Sequence, residues 1–203
     1  MSNLVTVVIH SYNRYDYLSN AIQSVLNQTM DDFEIILIND ESTDERYYKN
    51  NFGKKVKQID IRRNKNPRWT GSRQALINIG IENANGKYIA LLDDDDLWLE
   101  KKLELQIGEM ENNYYKFSST EGYFGLGKYS DKEQYPLYNT EHFAKVLKKK
   151  YRYTKYLKRG NLPKVWTEDF LKIHNCVIKS SAVIEKDTLQ MIGGFRGIPK
   201  MSD

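Results

Sequence analysis

Cysteine is almost missing from this 203-residue sequence, since Cys176 is the only one. An internal disulfide and any multi-cysteine metal site are therefore excluded. The sequence also has no apolar run near the roughly 20 residues that a membrane-crossing helix needs. Its start, MSNLVTVVIHSYNR, has neither a basic segment nor a long apolar stretch, so we expect no signal peptide and a cytoplasmic location.

Several common catalytic and phosphate-binding motifs are missing as well. There is no GxxxxGK[ST] loop and no GxSxG elbow, and the histidines at 10, 142 and 174 do not form HExxH. The glycines of GYFGLGK (122–128) have the wrong spacing for a dinucleotide fingerprint and do not follow the first predicted strand. If the chain binds a diphosphate, a metal ion held by carboxylates is the device that remains.

The composition is that of a folded domain, with 40% hydrophobic and 29% charged residues and a net charge of +4. The positive charge is concentrated between Lys145 and Lys164, which has nine Lys or Arg, no acid and interleaved tyrosines. Such a segment binds phosphates, an anionic membrane or nucleic acid, or is simply a solvated helix. No nucleic-acid reader motif accompanies it, so we expect no nucleic acid and consider peripheral membrane contact.

Hydrophobic periodicity predicts strands alternating with helices in the first half of the chain. Short apolar runs predict strands at 5–10, 33–38, 56–62 and 87–92. Helical spacing lies between them, at 18–26, 75–80 and 98–110. This alternation predicts an α/β fold with a mainly parallel sheet covered by helices on both faces.

The second half has a different character. Residues 113–140 are rich in Tyr, Gly, Ser and Lys, which favours short antiparallel strands or loops. Beyond the basic segment, we predict a strand over 173–180 and a helix over 181–195 that Gly193 and Gly194 end. We find no internal repeat and no linker, so a single domain is expected.

Three polar tetrads follow predicted strands: HSYN (10–13), NDES (39–42) and DDDD (93–96). One such tetrad is more often a helix-capping turn than a site. Three at successive strand ends favour a ligand site, because ligands of such sheets bind beyond the carboxyl ends of the strands.

The tetrad Asp93–Asp96 concentrates four negative charges. Neighbouring carboxylates about 6 Å apart repel by roughly 0.7 kcal/mol in water and by about 3 kcal/mol at an effective dielectric of 20. A solvated turn would tolerate this repulsion, whereas a half-buried strand end would need a cation. In an extended segment Asp93 and Asp95 point to one face and Asp94 and Asp96 to the other. The resulting Asp-x-Asp pair suits Mg²⁺ or Mn²⁺, which bind through one or two carboxylates plus substrate phosphates.

With HSYNR, LNQTMDDFEIILINDESTD, NGKYIALLDDDDLW and the late GGF in view, the sequence resembles the family-2 nucleotide-sugar glycosyltransferases of GT-A fold. The resemblance covers residues 4–110 and resumes over about 173–203. It implies one Rossmann-like GT-A domain over 1–203, with a nucleotide-sugar-binding half (1–112) and a smaller antiparallel acceptor-side half (113–203). It further implies inverting, metal-dependent transfer from a nucleotide sugar, expected to be a UDP-sugar, to a glycan, lipid-linked or protein acceptor.

The resemblance also implies roles for residues at the first two tetrads. His10 and Tyr12 would contact the uridine, and Asn13, which completes their tetrad, would also bind the nucleotide. Asp40 would accept a hydrogen bond from the uracil N3–H. Asn39 departs from the family pattern, which has an acid there.

At the third tetrad, Asp93 would hold the ribose, Asp95 would bind Mn²⁺ or Mg²⁺, and Asp94 would lie near the nucleotide. Arg73 takes the place of a basic residue that faces the nucleotide or its phosphates.

The resemblance places the general base downstream of GGF, where Asp203 is the matching acid. Glu168 and Asp169 form an alternative acidic pair. Other functions remain open, foremost a nucleotide-diphosphate-binding domain without transferase activity, truncated or part of a larger protein. A sugar-phosphate nucleotidyltransferase is disfavoured because HSYNR has none of the glycines of such an enzyme's first loop.

Overall fold

The protein is seen in a computed structural model that describes residues 4–62, 73–155, 167–172 and 175–196. The strands are β1 (Val5–Ser11), β2 (Phe33–Asn39), β3 (Val56–Asp60), β4 (Tyr88–Asp93), β5 (Phe117–Ser118) and β6 (Val183–Glu185). The α-helices are α1 (Tyr15–Leu26), α2 (Arg46–Lys49), α3 (Arg73–Glu82), α4 (Lys102–Asn113), α5 (Ala144–Lys150), α6 (Glu168–Leu171) and α7 (Lys186–Met191). A π-helical turn spans Tyr138–His142 and a 3₁₀ turn spans Lys179–Ser181.

The six strands form one sheet in the order β3-β2-β1-β4-β6-β5. Strands β3, β2, β1 and β4 are parallel, whereas β6 pairs antiparallel with both β4 and β5. The predicted α/β fold with a mainly parallel sheet flanked by helices is therefore confirmed.

Strand β1 shows why the central strands read as continuous apolar runs rather than alternating ones. Val7 and Ile9 belong to the hydrophobic cluster on one face of the sheet, together with residues of α1 and α4. Val8 belongs to the cluster on the other face, together with residues of α3 and α7. Because both faces are covered, every second side chain that would otherwise face water is buried too.

The GGF segment is fixed to helix α3 by one side chain. Gly193 and Gly194 end α7 with φ values of +79° and +73°, the left-handed conformation that favours glycine. The side chain of Asn78 then pairs with the backbone of Phe195, accepting from its N–H and donating to its carbonyl oxygen, both at 2.8 Å. The predicted stop of this helix at the two glycines is confirmed.

The prediction for residues 173–195 is wrong in two respects. Residues 175–178 contain no strand, and the strand of this region is β6, which the sequence analysis assigned to a helix. The helix begins only at Lys186. The reason is non-local, since Ile184 pairs with Ile89 and extends the sheet beyond β4.

The chain separates into two compact units. The first comprises residues 1–118 and 182–203 and contains the sheet. The second comprises residues 119–181, and its core consists of Leu147, Tyr151, Phe170 and Cys176. The functional division expected between residues 112 and 113 stays a prediction. Within the described ranges, no helix has both the length and the apolar content needed to cross a bilayer.

Candidate functional site

The carboxyl ends of β1, β2 and β4 lie side by side, because β1 is the middle strand of the three. In the register of the sheet, Ser11 is opposite Asn39 and His10 is opposite Asp93. The three polar tetrads therefore meet at one edge of the sheet, the edge at which such folds bind ligands. We call this edge the candidate site.

Two loops of the candidate site are tied together by Asn13. Its side-chain oxygen accepts a hydrogen bond from the Thr43 N–H at 2.8 Å, and its own N–H donates to the Ser42 hydroxyl at 3.0 Å. Asn13 and Glu41 both have positive φ values, +52° and +59°. Residues other than glycine rarely adopt this left-handed conformation, and glutamate is not among those that adopt it more often. The side-chain carbonyl of Asn13 thus shapes the loops, and its contact with a nucleotide stays a prediction.

The departure from the family pattern at position 39 is explained by the hydrogen bonds of Asn39, which is fully buried at the end of β2. Its amide nitrogen donates to the Asp60 carboxylate at 2.8 Å, and its oxygen accepts from the Ser42 N–H at 3.1 Å. An aspartate at this position would place two carboxylates in contact, whereas the neutral amide supplies the donor that Asp60 needs. The neighbouring Asp40 is 7% exposed, and its N–H donates to the carbonyl of Ser11 at 3.0 Å.

The four aspartates do not continue the strand. β4 ends at Asp93, and a turn follows in which the Asp96 N–H donates to the Asp93 carbonyl at 3.2 Å. Asp94 is buried in this turn and Asp95 is exposed. The expected alternation of side chains therefore ends at Asp93, because the backbone is no longer extended.

A chain of hydroxyl groups leads to the buried Asp94. The Arg14 N–H donates to the Tyr47 hydroxyl at 3.0 Å, and the Tyr47 and Ser11 hydroxyls are 2.5 Å apart. The Ser11 hydroxyl donates to Asp94 Oδ2 at 2.6 Å, so Tyr47 must be the donor to Ser11. Burial raises the pKa of Asp94, and the bonds from Ser11 and Arg14 oppose this effect.

Arg14 supplies the cation that the crowded carboxylates require. One nitrogen, Nη1, lies 2.7 Å from Asp95 Oδ2 and 3.2 Å from Asp94 Oδ1. The nearby charge of Asp94, and then that of Asp95, raises the pKa of Arg14, so the guanidinium stays charged. Sequence reasoning assigned no role to Arg14, Ser11 or Tyr47. The signals for Arg14 were its place directly after the first tetrad and the unbalanced charge of the third.

Asp95 fits a divalent cation in chemistry but also has a protein partner. Its side chain is 45% exposed and offers hard oxygen donors at the strand edge. No group of three or more His, Cys, Asp or Glu suited to a metal occurs within the described part of the chain. Because Mg²⁺ and Mn²⁺ are commonly held by one or two carboxylates plus substrate phosphates, a site completed by the nucleotide needs no such group.

The remaining residues predicted for the site are Tyr12, Arg73 and Asp203, with Glu168 and Asp169 as the alternative acids. Tyr12 is 48% exposed, and Arg73 is the exposed first residue of α3. Asp203 lies outside the described residues. The alternative acids begin α6, where Glu168 pairs with Lys172 and Asp169 pairs with Lys155, at 2.7 and 3.1 Å.

Comparison with known proteins adds a family match. The family model described as glycosyl transferase family 2 matches residues 6–183. An uncharacterized glycosyltransferase of Rickettsia bellii is 46% identical over 116 residues, which are 57% of this chain and 16% of that protein. WfaP of Escherichia coli, described as a UDP-Glc:alpha-D-GlcNAc-diphosphoundecaprenol beta-1,3-glucosyltransferase, is 36% identical over 120 residues, 59% of this chain and 46% of WfaP. In both comparisons the chain spans less than half of the relative's length.

Solved structures share the fold. The mannosyltransferase PcManGT of Pyrobaculum calidifontis, in complex with GDP-Man and Mn²⁺, matches with a TM-score of 0.62 and 14% identity, covering 97% of this chain and 48% of that one. TarS of S. aureus (residues 1–349), in complex with UDP-GlcNAc, matches with a TM-score of 0.59 and 14% identity, covering 93% of this chain and 47% of that one. At this identity the likeness concerns the fold, which is GT-A.

Proposed function

Because the chain belongs to glycosyl transferase family 2, we propose that it transfers a sugar from a nucleoside-diphosphate sugar to a hydroxyl acceptor. The observation that carries the proposal is the meeting of three polar strand ends, with His10 opposite Asp93 and Ser11 opposite Asn39. Hydrogen-bonding side chains at this edge suit a base and a ribose, and its carboxylates suit a divalent cation that binds the phosphates.

The donor in this proposal is a UDP-sugar. Asp40 accepts from the uracil N3–H, His10 and Tyr12 flank the uridine, and Asp93 holds the ribose. The description of WfaP as an enzyme that uses UDP-Glc supports this choice of donor. Asn13 and Ser42 position the loops around the base through their mutual hydrogen bond.

In the proposed reaction the acceptor oxygen attacks the anomeric carbon while the bond from that carbon to the diphosphate breaks, so the configuration inverts. The base, for which Asp203 is proposed, takes the proton of the acceptor hydroxyl. Asp95 would hold Mn²⁺ or Mg²⁺, whose charge neutralises the departing diphosphate, and Asp94 would lie near the nucleotide. Arg73 is proposed to face the phosphates.

Replacement of Asp95 tests the proposal. We expect Asp95→Asn to weaken binding of UDP in the presence of Mn²⁺ at least tenfold and to abolish turnover of UDP-glucose, because the carboxylate that holds the cation is lost. Isothermal titration and release of UDP are the measurements. Asp96→Asn is the matched control, one residue away, and should retain both within a few-fold. Wild-type-like activity of Asp95→Asn contradicts the assignment.

The acceptor in the proposal is a lipid-linked glycan, since the name of WfaP specifies a diphosphoundecaprenol-linked sugar. The basic segment that begins at Lys145 supports contact with an anionic membrane carrying such a lipid. In it, Lys145, Lys148, Lys149, Lys150 and Arg152 are exposed. Exposed Val146 and Tyr153 stand among them and offer apolar contact.

Sedimentation with lipid vesicles tests this part separately. We expect binding to vesicles that contain phosphatidylglycerol, but not to pure phosphatidylcholine, and a loss of binding at 0.5 M salt. The triple change of Lys148, Lys149 and Lys150 to Gln should reduce it, whereas exposed Lys49, Lys54 and Lys101 changed together to Gln should not. Equal binding to both vesicles contradicts membrane contact through charge.

The assays of UDP binding and UDP release also distinguish this proposal from the rival function, a nucleotide-diphosphate-binding domain without transferase activity. A binding module without transferase activity would bind UDP-glucose with Mn²⁺ and release no UDP in the presence of any acceptor. A panel of UDP-, GDP- and dTDP-sugars, assayed for binding and turnover in parallel, separates the two functions.

A further inference from the structure

Arg14 bridges two carboxylates of unequal burial with a single nitrogen. Its Nη1 lies 2.7 Å from Asp95, whose side chain is 45% exposed, and 3.2 Å from Asp94, whose side chain is only 9% exposed. The side chain of Arg14 itself is 50% exposed. The cation thus stands at the carboxylate that the proposed function assigns to the metal.

The two contacts differ in how readily they can be given up. An ion pair between two half-exposed groups contributes little, so a competing ion with two charges displaces it easily. A buried carboxylate that loses its cation pays a much larger desolvation penalty. The hydroxyl of Ser11 satisfies Asp94 Oδ2 but leaves Oδ1 to Arg14. Arg14 can therefore release Asp95 without releasing Asp94.

We propose that Arg14 is an internal counter-ion that occupies Asp95 in the metal-free protein, releases it to a divalent ion, and stays beside that ion on Asp94. This inference rests on the proposed function, since it assumes that Asp95 is the metal ligand. It adds a residue with a positioning role that the family resemblance did not include.

A consequence is that the metal and the nucleotide promote each other's binding. The positive charge of Arg14 next to Asp95 disfavours a divalent cation when no other anion is present. A nucleoside diphosphate brings negative charge that offsets both cations, so each ligand raises the affinity of the other by the same factor. The metal-free protein is expected to bind Mn²⁺ weakly alone and much more tightly with UDP.

The test is a titration of Mn²⁺ into wild-type and variant protein at pH 8, with free Mn²⁺ counted by electron paramagnetic resonance, with and without UDP. In Arg14→Gln we expect Mn²⁺ alone to bind about tenfold tighter, because one repelling charge is gone. The factor by which UDP improves Mn²⁺ binding should shrink several-fold. A residue that merely supports the fold would leave this coupling factor unchanged.

Arg46→Gln is the matched control. Arg46 also pairs with two carboxylates, Asp44 at 2.7 Å and Asp16 at 2.8 Å, and is likewise half-exposed. No function is proposed for it, so its replacement should change neither the Mn²⁺ affinity nor the coupling factor. A change equal to that of Arg14→Gln would show a general effect of net charge and overturn the inference.

A second measurement on the wild-type protein covers the outcome in which Arg14→Gln does not fold. Side-chain nitrogen resonances of ¹⁵N-labelled arginine should shift for Arg14, but not for Arg46, when Mg²⁺ is added with saturating UDP. An unshifted Arg14 signal, or unchanged or weaker Mn²⁺ binding by Arg14→Gln, overturns the inference alone. If the wild-type protein binds no Mn²⁺ even with UDP, the proposed metal site fails as well, so the two failures are distinct.

Discussion

At the scale of single residues, Lys102 is the side chain most at odds with its surroundings. Its ammonium nitrogen is enclosed, and no hydrogen-bond acceptor reaches it among the described residues, although other atoms of the residue touch solvent. The nitrogen lies 3.7 Å from the centre of the Trp98 ring, a cation–π contact that replaces only part of the lost hydration. Burial lowers the pKa of Lys102 to about 7.

This pKa predicts a pH-dependent stability. Between about pH 7 and 10.5 the unfolded chain binds a proton that the folded protein does not, so the free energy of unfolding rises with pH through this window. The cost of the buried charge is complete below pH 7. We expect Lys102→Met to be more stable than wild type by about 2–4 kcal/mol at pH 6.5, with the gap closing toward pH 10. Urea unfolding at several pH values measures it.

The exposed neighbour Lys101 is the control. Lys101→Met should differ from wild type by a small amount that does not change with pH. A gap between Lys102→Met and wild type that stays constant from pH 6.5 to 10 would mean that the lysine has an ordinary pKa.

The candidate site also shows what single residues disclose from sequence alone. The crowding of Asp93–Asp96 favours a nearby cation, since repulsion depends only on local spacing, but the divalent ion expected there stays a prediction. The crowding did not identify Arg14, which is about 80 positions away and comes close only because β1 and β4 are neighbours. In the same way, the reason for Asn39 is Asp60, a partner that no local pattern links to it.

At the scale of elements, two glycines within helices have opposite surroundings. A Cβ added to Gly80 in α3 would lie 2.5 Å from Cγ1 of Val8 in β1, a short, buried, branched side chain. A Cβ added to Gly108 in α4 would meet no atom within 4 Å. The absence of a side chain at position 80 therefore lets α3 pack closely on the sheet.

Alanine at these two positions should have effects of opposite sign. Alanine gains up to about 1 kcal/mol of helix propensity over glycine at either position. At position 80 overpacking against Val8 outweighs this gain, and we expect Gly80→Ala to lower the free energy of unfolding by about 1–3 kcal/mol. Gly108→Ala should raise it by about 0.5–1 kcal/mol. Guanidinium unfolding of both variants is the measurement, and stabilisation of both would contradict the close approach.

Elements differed in how well the sequence predicted them. Strands β1, β2 and β4 were found to within a residue or so, because buried runs of Val, Ile and Leu bounded by polar turns are strong local signals. β6 was missed because three residues directly before a helix carry no period of their own. The strand prediction for residues 173–180 failed for a different reason, because a short apolar run fits a strand and a loop equally well.

At the scale of the whole molecule, the second unit is an insertion between two paired strands. The first part of the sheet-containing unit ends at Ser118, the last residue of β5. The second part begins at residue 182, directly before β6. Ser118 and Val183 are opposite each other in an antiparallel ladder, as are Phe117 and Ile184. The chain thus leaves the sheet and returns to it at adjacent positions, the geometry of a β-hairpin with a very large loop.

This geometry predicts that the insertion can be removed. We expect a variant with residues 120–181 replaced by Asn-Gly, a favoured two-residue hairpin turn, to fold and to bind UDP with Mn²⁺ within about tenfold of wild type. It should lose transfer, because most of the predicted acceptor-side half (113–203) is absent. Circular dichroism and calorimetric titration test the two halves of the statement. An unfolded product would contradict the expectation that the sheet unit folds without the insertion. Retained transfer would contradict the predicted division into a nucleotide-sugar-binding half and an acceptor-side half.

The hairpin junction also has a meaning for how such proteins diversify. Closing a longer loop between fixed ends costs only slowly growing entropy, so the inserted segment can gain, lose or exchange sequence with little effect on the strands that it joins. Recombination can thus exchange residues 119–181 as one segment, and mutation can change them independently of the sheet. Under the proposed function, such exchange would change the acceptor side and leave the proposed donor site in place.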